Sequence, residues 1–202
     1  PAGVSRLIVT MPPKVPASKQ IFKKLFDTVV WTKLKALELH GIQSIATRAM
    51  ADLQHMPEFE ELVVQNCPLI SDISFAKHAP GLRVLRLLNQ PSVNMAALAK
   101  FPKLRLLDLS GTVADWSEPG SLKALAALSE LEEIRLGKNT SIFASAPEDG
   151  ILKGAEAVRS FQTALDTISP AAAAPVLSST PKGPKAVKAR SAIRKQLGSS
   201  DI

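Results

Sequence analysis

"LRVLRL" (82–87) and "LRLLDL" (104–109) start 22 residues apart and carry leucine at the first, fourth and sixth places. The same template returns in "LKALEL" (34–39), "FEELVV" (59–64) and "LEEIRL" (131–136), so that successive starts along the chain are separated by 25, 23, 22 and 27 residues. "VSRLIV" (4–9) fits as well, 30 residues ahead of the next. In an extended strand, residues two apart point to the same side. The fourth and sixth places of every copy therefore face one core: Leu37 with Leu39, Leu62 with Val64, Leu85 with Leu87, Leu107 with Leu109, Ile134 with Leu136. A single copy cannot cover that face, but stacked neighbours can.

Between the copies lie segments with helical spacing. "SIATRAMADLQHM" (44–56) places Ile45, Ala49, Leu53 and Met56 on one side, and "SLKALAALSEL" (121–131) does so with Leu122, Leu125, Leu128 and Leu131. Such stripes mark amphipathic helices. "DISFAKHA" (72–79) and "VNMAALAKF" (93–101) are shorter and suit a turn of helix or of 3₁₀. Pro57, Pro80 and Pro102 end three of these segments, because proline disfavours helix in the residue before it.

Strand then helix at a period of roughly 20–29 resembles the leucine-rich repeat family, across residues 34–136 and loosely from residue 4. The resemblance implies an α/β solenoid with a parallel sheet of five or six short strands on its concave face and helices on its convex face. "FEELVVQNCPLISDISFAKHAPGLRVLRL" (59–87) looks like the cysteine-containing subclass found in F-box substrate receptors. There Asn66 and Cys67 would close the turn at the strand's exit, and Ser71 or Asp72 would cap the helix that follows. The matching stretches of the later copies, "LLNQPS", "LSGTVADW" and "LGKNTS", depart from that subclass, and no F-box precedes residue 34.

Four regions are expected. Residues 1–33 hold a strand, a proline-rich loop and a capping helix, "KQIFKKLFDTVVW" (19–31). Residues 34–143 hold the repeats. Residues 144–169 hold a closing helix, with Leu152, Ala155, Phe161 and Leu165 against the last repeat and Pro170 stopping it. Residues 170–202 form a low-complexity basic tail.

Composition narrows the function. With 46% apolar residues the chain can build a core without disulfides, and its single cysteine, Cys67, excludes a disulfide framework. His40, His55 and His78 do not stand at metal-ligand spacing with carboxylates or with Cys67. Phosphate-binding glycine motifs and a GxSxG elbow are absent from the sequence. Glu60/Glu61 and Glu132/Glu133 are adjacent in strands and point to opposite sides, so they do not pair for hydrolysis. The expectation is a non-catalytic protein with no cofactor, no small-molecule substrate and no membrane span.

The concave face then becomes the candidate binding surface. Stacking would gather Val63, Val84, Leu88 and Leu106 there, flanked by Arg86 and Asp108. A contiguous apolar patch of this kind usually meets a partner, here another protein subunit, although the N-terminal arm or the C-terminal tail could cover it instead.

The formal charge of +7 is segregated: residues 1–36 carry +6, residues 180–202 carry +5 and the body between them −4. Basic arms around a nearly neutral body suggest an anionic partner. In "GPKAVKARSAIRKQLG" (183–198), Pro184 and Gly198 bracket a helix with Ala186, Ala189, Ile193 and Leu197 on one face. Lys182, Lys185, Lys188, Arg190, Arg194 and Lys195 make this tail the candidate RNA-binding element, with rRNA as partner. A start at Pro1 without methionine fits the loss of a targeting peptide, which points to mitochondria, with the cytoplasm as the other location. The reading that joins these features is a structural subunit of a large ribonucleoprotein, a mitochondrial ribosome foremost. The alternatives are an F-box-like interaction adaptor and a subunit or assembly factor of a respiratory membrane complex.

The tail carries its own test. Each phosphate neutralised adds about 0.7–0.9 to the slope of log K against log salt, so six bases, partly engaged, contribute roughly 2–5. The full chain and a chain ending at Thr180, titrated against structured RNA at several salt concentrations, should differ by that much in slope, with little dependence on RNA sequence. Equal affinities and slopes would remove RNA from the tail's account.

Overall fold

The computed structural model describes residues 3–11, 32–43, 56–73, 79–116, 120–143 and 145–165. These residues form a seven-stranded sheet in the order β1-β2-β3-β4-β6-β8-β9. The strands are β1 (Arg6–Thr10), β2 (Ala36–His40), β3 (Glu61–Gln65), β4 (Val84–Leu88), β6 (Leu106–Asp108), β8 (Glu133–Arg135) and β9 (Ile151–Lys153). The first six pair in parallel, each beside the strand of the preceding repeat. A second, two-stranded parallel sheet joins β5 (Val93–Asn94) to β7 (Ala114–Asp115).

The register is the one the repeats dictate. Leu7, Leu37, Leu62, Leu85, Leu107 and Ile134 stand in line across the sheet. Leu37, Leu62, Leu85, Leu107 and Ile134 are fully buried, and so are the sixth-place residues Leu39, Val64, Leu87, Leu109 and Leu136. A third ladder runs through the first places, Leu34, Phe59, Leu82, Leu104 and Leu131. In the first copy, where one neighbour is lacking, Val4, Leu7 and Val9 are only partly buried.

Entry into β3, β4, β6 and β8 uses one device. Phe59 N–H donates to the Met56 carbonyl, Leu82 to Ala79, Leu104 to Phe101 and Leu131 to Leu128. In the first three of these four-residue turns the second residue is Pro57, Pro80 or Pro102, whose ring presets the φ that a tight turn needs there. The prolines thus build the turn into the next strand as well as ending the segment before it. One carbonyl then serves two donors of the next repeat: Lys35 O accepts from Glu60 N and Glu61 N, and Arg83 O from Arg105 N and Leu106 N.

The connecting segments are less helical than their spacing suggests. Residues 93–101 form β5 and a 3₁₀ turn (Ala96–Lys100), in keeping with expectation. The helix expected over 121–131 spans only Ser121–Ala126 (α1). Leu125, Leu128 and Leu131 are nonetheless buried, with Leu122 at the core's margin. The expected helices at 19–31, 44–56 and 72–79 lie wholly or largely outside the described residues.

The closing segment corrects the sequence reading. Residues 151–153 are a strand, β9, antiparallel to β8, and Leu152 is buried opposite Ile134 instead of lying on a helix. The helix (α2, Ala155–Leu165) starts after Gly154, whose φ of +89° suits the change of direction. Val158, Phe161 and Leu165 are its buried face, whereas Ala155 is only partly covered. Phe161 meets Phe143 edge-on at 5.4 Å, and Phe143 meets Trp116 likewise at 5.5 Å. Gln162 Nε2 donates to the carbonyls of Leu125 (2.8 Å) and Leu128 (3.0 Å), a second donor for each, and so ties α2 to the chain at and just past the end of α1.

Leu107 sits centrally in the buried ladder. Leu107→Ala should destabilise the chain by about 2–5 kcal/mol in denaturant unfolding, as buried leucines do. A loss below about 1 kcal/mol would contradict the burial.

Candidate functional site

The fold leaves the third, fifth and seventh places of each strand on the face of the sheet opposite the leucine ladders. The third places read Arg6, Ala36, Glu61, Val84, Leu106 and Glu133 across the sheet, and the fifth places Ile8, Glu38, Val63, Arg86, Asp108 and Arg135. β9 adds Lys153 beside Glu133 and Ile151 beside Arg135. The structure therefore brings all six proposed partner-binding residues, Val63, Val84, Arg86, Leu88, Leu106 and Asp108, onto one face.

Their exposure differs from expectation. Val63 is 6% and Asp108 3% exposed, so neither is free to meet a partner. Val84, Arg86, Leu88 and Leu106 are half-buried. The cause is lateral. Strands lie about 4.8 Å apart, and long side chains on neighbouring strands lean over shorter ones. Val63 lies in register between Glu38 and Arg86 and is the short member of that row. The apolar residues that stand clear on this face are Ile8 (56% exposed) and Ile151 (40%), at its two edges.

Ion pairs cross the face from strand to strand. Arg6 bridges Glu38 (2.6 Å) and Glu61 (3.2 Å). The far side of Glu38 meets His40 Nε2 at 3.0 Å, and His40 Nδ1 lies 3.0 Å from Gln65 Oε1. Arg135 pairs with Glu133 (2.6 Å) and reaches Asp108 (3.5 Å). Asp108 Oδ1 accepts from the backbone N–H (3.0 Å) and hydroxyl (2.6 Å) of Ser110. These contacts supply the polar satisfaction that lets Asp108 be buried. Partial burial pushes Glu38 upward, but the hydrogen bonds from His40 and Arg6, with Arg6's charge, outweigh it and hold this carboxyl below its ordinary range. Arg6 was not foreseen here, although "VSRLIV" placed it at the third position.

Cys67 belongs to the fold. It is fully buried, its thiol donates to Gln65 O (3.3 Å) and Leu39 O (3.5 Å), and burial pushes its pKa up. A raised thiol pKa is the reverse of what a nucleophile needs. Of the histidines, His55 and His78 lie outside the described residues, as do Lys182, Lys185, Lys188, Arg190, Arg194 and Lys195. Among the described residues no group of three or more His, Cys, Asp or Glu could hold a metal ion, and no helix is long and apolar enough to cross a membrane.

No family model and no curated protein match the chain. Among solved structures it is similar to an internalin, inlF, from Listeria monocytogenes strain 4b F2365, with 17% identity and a TM-score of 0.44 over 61% of this chain. The match spans 32% of the internalin's own length.

The Glu38 contacts carry a pH signature. A carboxyl with a lowered folded pKa stabilises the fold above its unfolded value, near 4.5, and that contribution fades as pH falls through the folded value. Glu38→Gln should therefore lower the melting temperature modestly at neutral pH, and its deficit against the parent should shrink in acid. A deficit that stays constant or grows below the carboxylate range would contradict the assignment.

Proposed function

We propose that the chain is a leucine-rich repeat scaffold without catalytic function, which contacts a protein partner through the open face of its sheet. The observation that carries this reading is that Val84, Leu88 and Leu106 are half-buried apolar side chains on this face, Val84 beside Leu106 across β4 and β6 and Leu88 on the other side of Arg86 along β4. Apolar centres ringed by satisfied polar groups are the usual anatomy of a protein interface.

A second reading is favoured by charge. The open face is nearly balanced: Arg6, Arg86, Arg135 and Lys153 stand among Glu38, Glu61, Asp108 and Glu133. The excess of bases lies in residues 1–36 and 180–202. This division suits a subunit that meets protein with its face and rRNA phosphate with its arms, in a ribonucleoprotein such as a mitochondrial ribosome. The F-box-like adaptor and the respiratory-complex subunit share the protein contact but give the basic arms no role.

The test is purification of the full chain from its native source with Leu88 and Leu106 both replaced by glutamate. Both are half-buried, so the variant should keep its fold by circular dichroism and lose its protein partners. Unaltered assembly would show that the open face is not the interface, and an unfolded variant would show that the two leucines are core.

A further inference from the structure

Arg86 stands apart from the other arginines of the open face. Arg6 and Arg135 each meet a glutamate at 2.6 Å. The nearest carboxylate oxygen recorded for Arg86 is Glu61 Oε1, 4.0 Å from Nε and beyond hydrogen-bond reach. The other Glu61 oxygen is 3.2 Å from Arg6. Asp108, the register partner of Arg86 on β6, is committed to Ser110 and Arg135. The Arg86 Nε is enclosed and has no hydrogen-bond partner, while 35% of the side chain stays exposed. Enclosing a guanidinium donor without an acceptor costs stability, and a methionine would fill the same space without that cost.

We propose that Arg86 receives a carboxylate from the bound partner: a protein segment presenting aspartate, glutamate or its C-terminal carboxylate, with an adjacent apolar side chain seated on Val84 and Leu106. This rests on the reading of the open face as a protein-contact surface and names the chemistry of what it holds. Charge complementarity selects the occupant. The planar guanidinium matches a carboxylate in bidentate fashion. Glu61 and Asp108 on the two neighbouring strands disfavour a phosphate dianion, whereas one carboxylate brings a single charge to the open-face arginine, among the described residues, that has no acid within hydrogen-bond reach. The position is also apt, since arginines near an interface centre, ringed by apolar contacts, are common energetic anchors.

The experiment selects a random heptapeptide display library against the full chain and against its Arg86→Glu variant. The parent should enrich peptides with an acidic residue beside leucine, isoleucine or phenylalanine. Arg86→Glu should weaken those peptides at least tenfold and enrich lysine or arginine in their place. Arg86→Met should weaken them similarly while its melting temperature stays equal or rises, which a structural ion pair would not allow. No selected binder, a pool without acidic bias, a preference for phosphorylated peptides, or affinity unchanged in Arg86→Glu would each overturn the proposal. Binding that fails in Leu106→Glu yet ignores Arg86 would leave the open-face reading standing and remove the carboxylate; binding that ignores both would remove both.

Discussion

The structure depends on how each repeat leaves its strand. Past the seventh place the chain turns away from the sheet, and the sixth-place carbonyls beside that corner lie inside the protein. A buried carbonyl without a donor costs about 1–3 kcal/mol, so a stack of such corners needs a repeated remedy. The ninth-place side chain supplies it. Cys67 Sγ donates to Leu39 O, Gln90 Nε2 to Val64 O (3.2 Å) and Thr112 Oγ1 to Leu87 O (2.6 Å), each reaching the sixth-place carbonyl of the preceding repeat. Asn139 closes the series by donating to Thr112 O (3.1 Å) and accepting from Ala114 N (3.0 Å). Thr112 also accepts from Gln90 N (2.9 Å), so the corners are bonded to one another as well as to the strands. Each bond joins one repeat to the next, and together they hold the register that lets the three apolar ladders align.

The residue before that corner is constrained too. The eighth places are Gly41 (φ +69°), Asn66 (φ +53°), Asn89 (φ +53°) and Gly111 (φ +72°). Left-handed backbone at these four exits swings the chain off the sheet, and only glycine and asparagine adopt it cheaply; in the 131–136 repeat it falls one place earlier, at Gly137 (φ +56°). The two choices are not interchangeable. A Cβ on Gly111 would strike the Asn89 side chain of the neighbouring repeat, so the exit beside Asn89 takes glycine.

This explains what could be read from the sequence. The ladders were legible because alternation within a strand and recurrence at about 25 residues point to the same face, and both signals are strong in leucine. The corner series was legible only at Asn66 and Cys67, because Gln90, Thr112 and Asn139 share the role of Cys67 but little chemistry beyond a hydrogen to donate. The eighth-place sequence of Gly, Asn, Asn, Gly would have revealed it. β9 escaped because its three residues, paired antiparallel, have no copy among the described residues, and "ILKGAEAVRSF" continues into a true helix. The open face was placed correctly but its cover was not. Alternation says which way Val63 and Asp108 point and nothing about the charged neighbours on either side that enclose them.

The separation of charge from shape follows from the same architecture. Every strand residue facing the core is fixed by a ladder, so variety is confined to the third, fifth and seventh places, and there adjacent repeats constrain one another across about 4.8 Å. Like charges placed side by side would repel, and the face answers with alternation: in the fifth row Arg86, Asp108 and Arg135 follow in register. A face built this way cannot accumulate net charge without destabilising its own sheet. A polyanion gains little from it, since the attraction of each arginine is offset by a carboxylate one strand away. The surplus of bases in this chain lies at its two ends, residues 1–36 and 180–202. On the proposed reading, the sheet would distinguish partners by matching single charges beside apolar side chains.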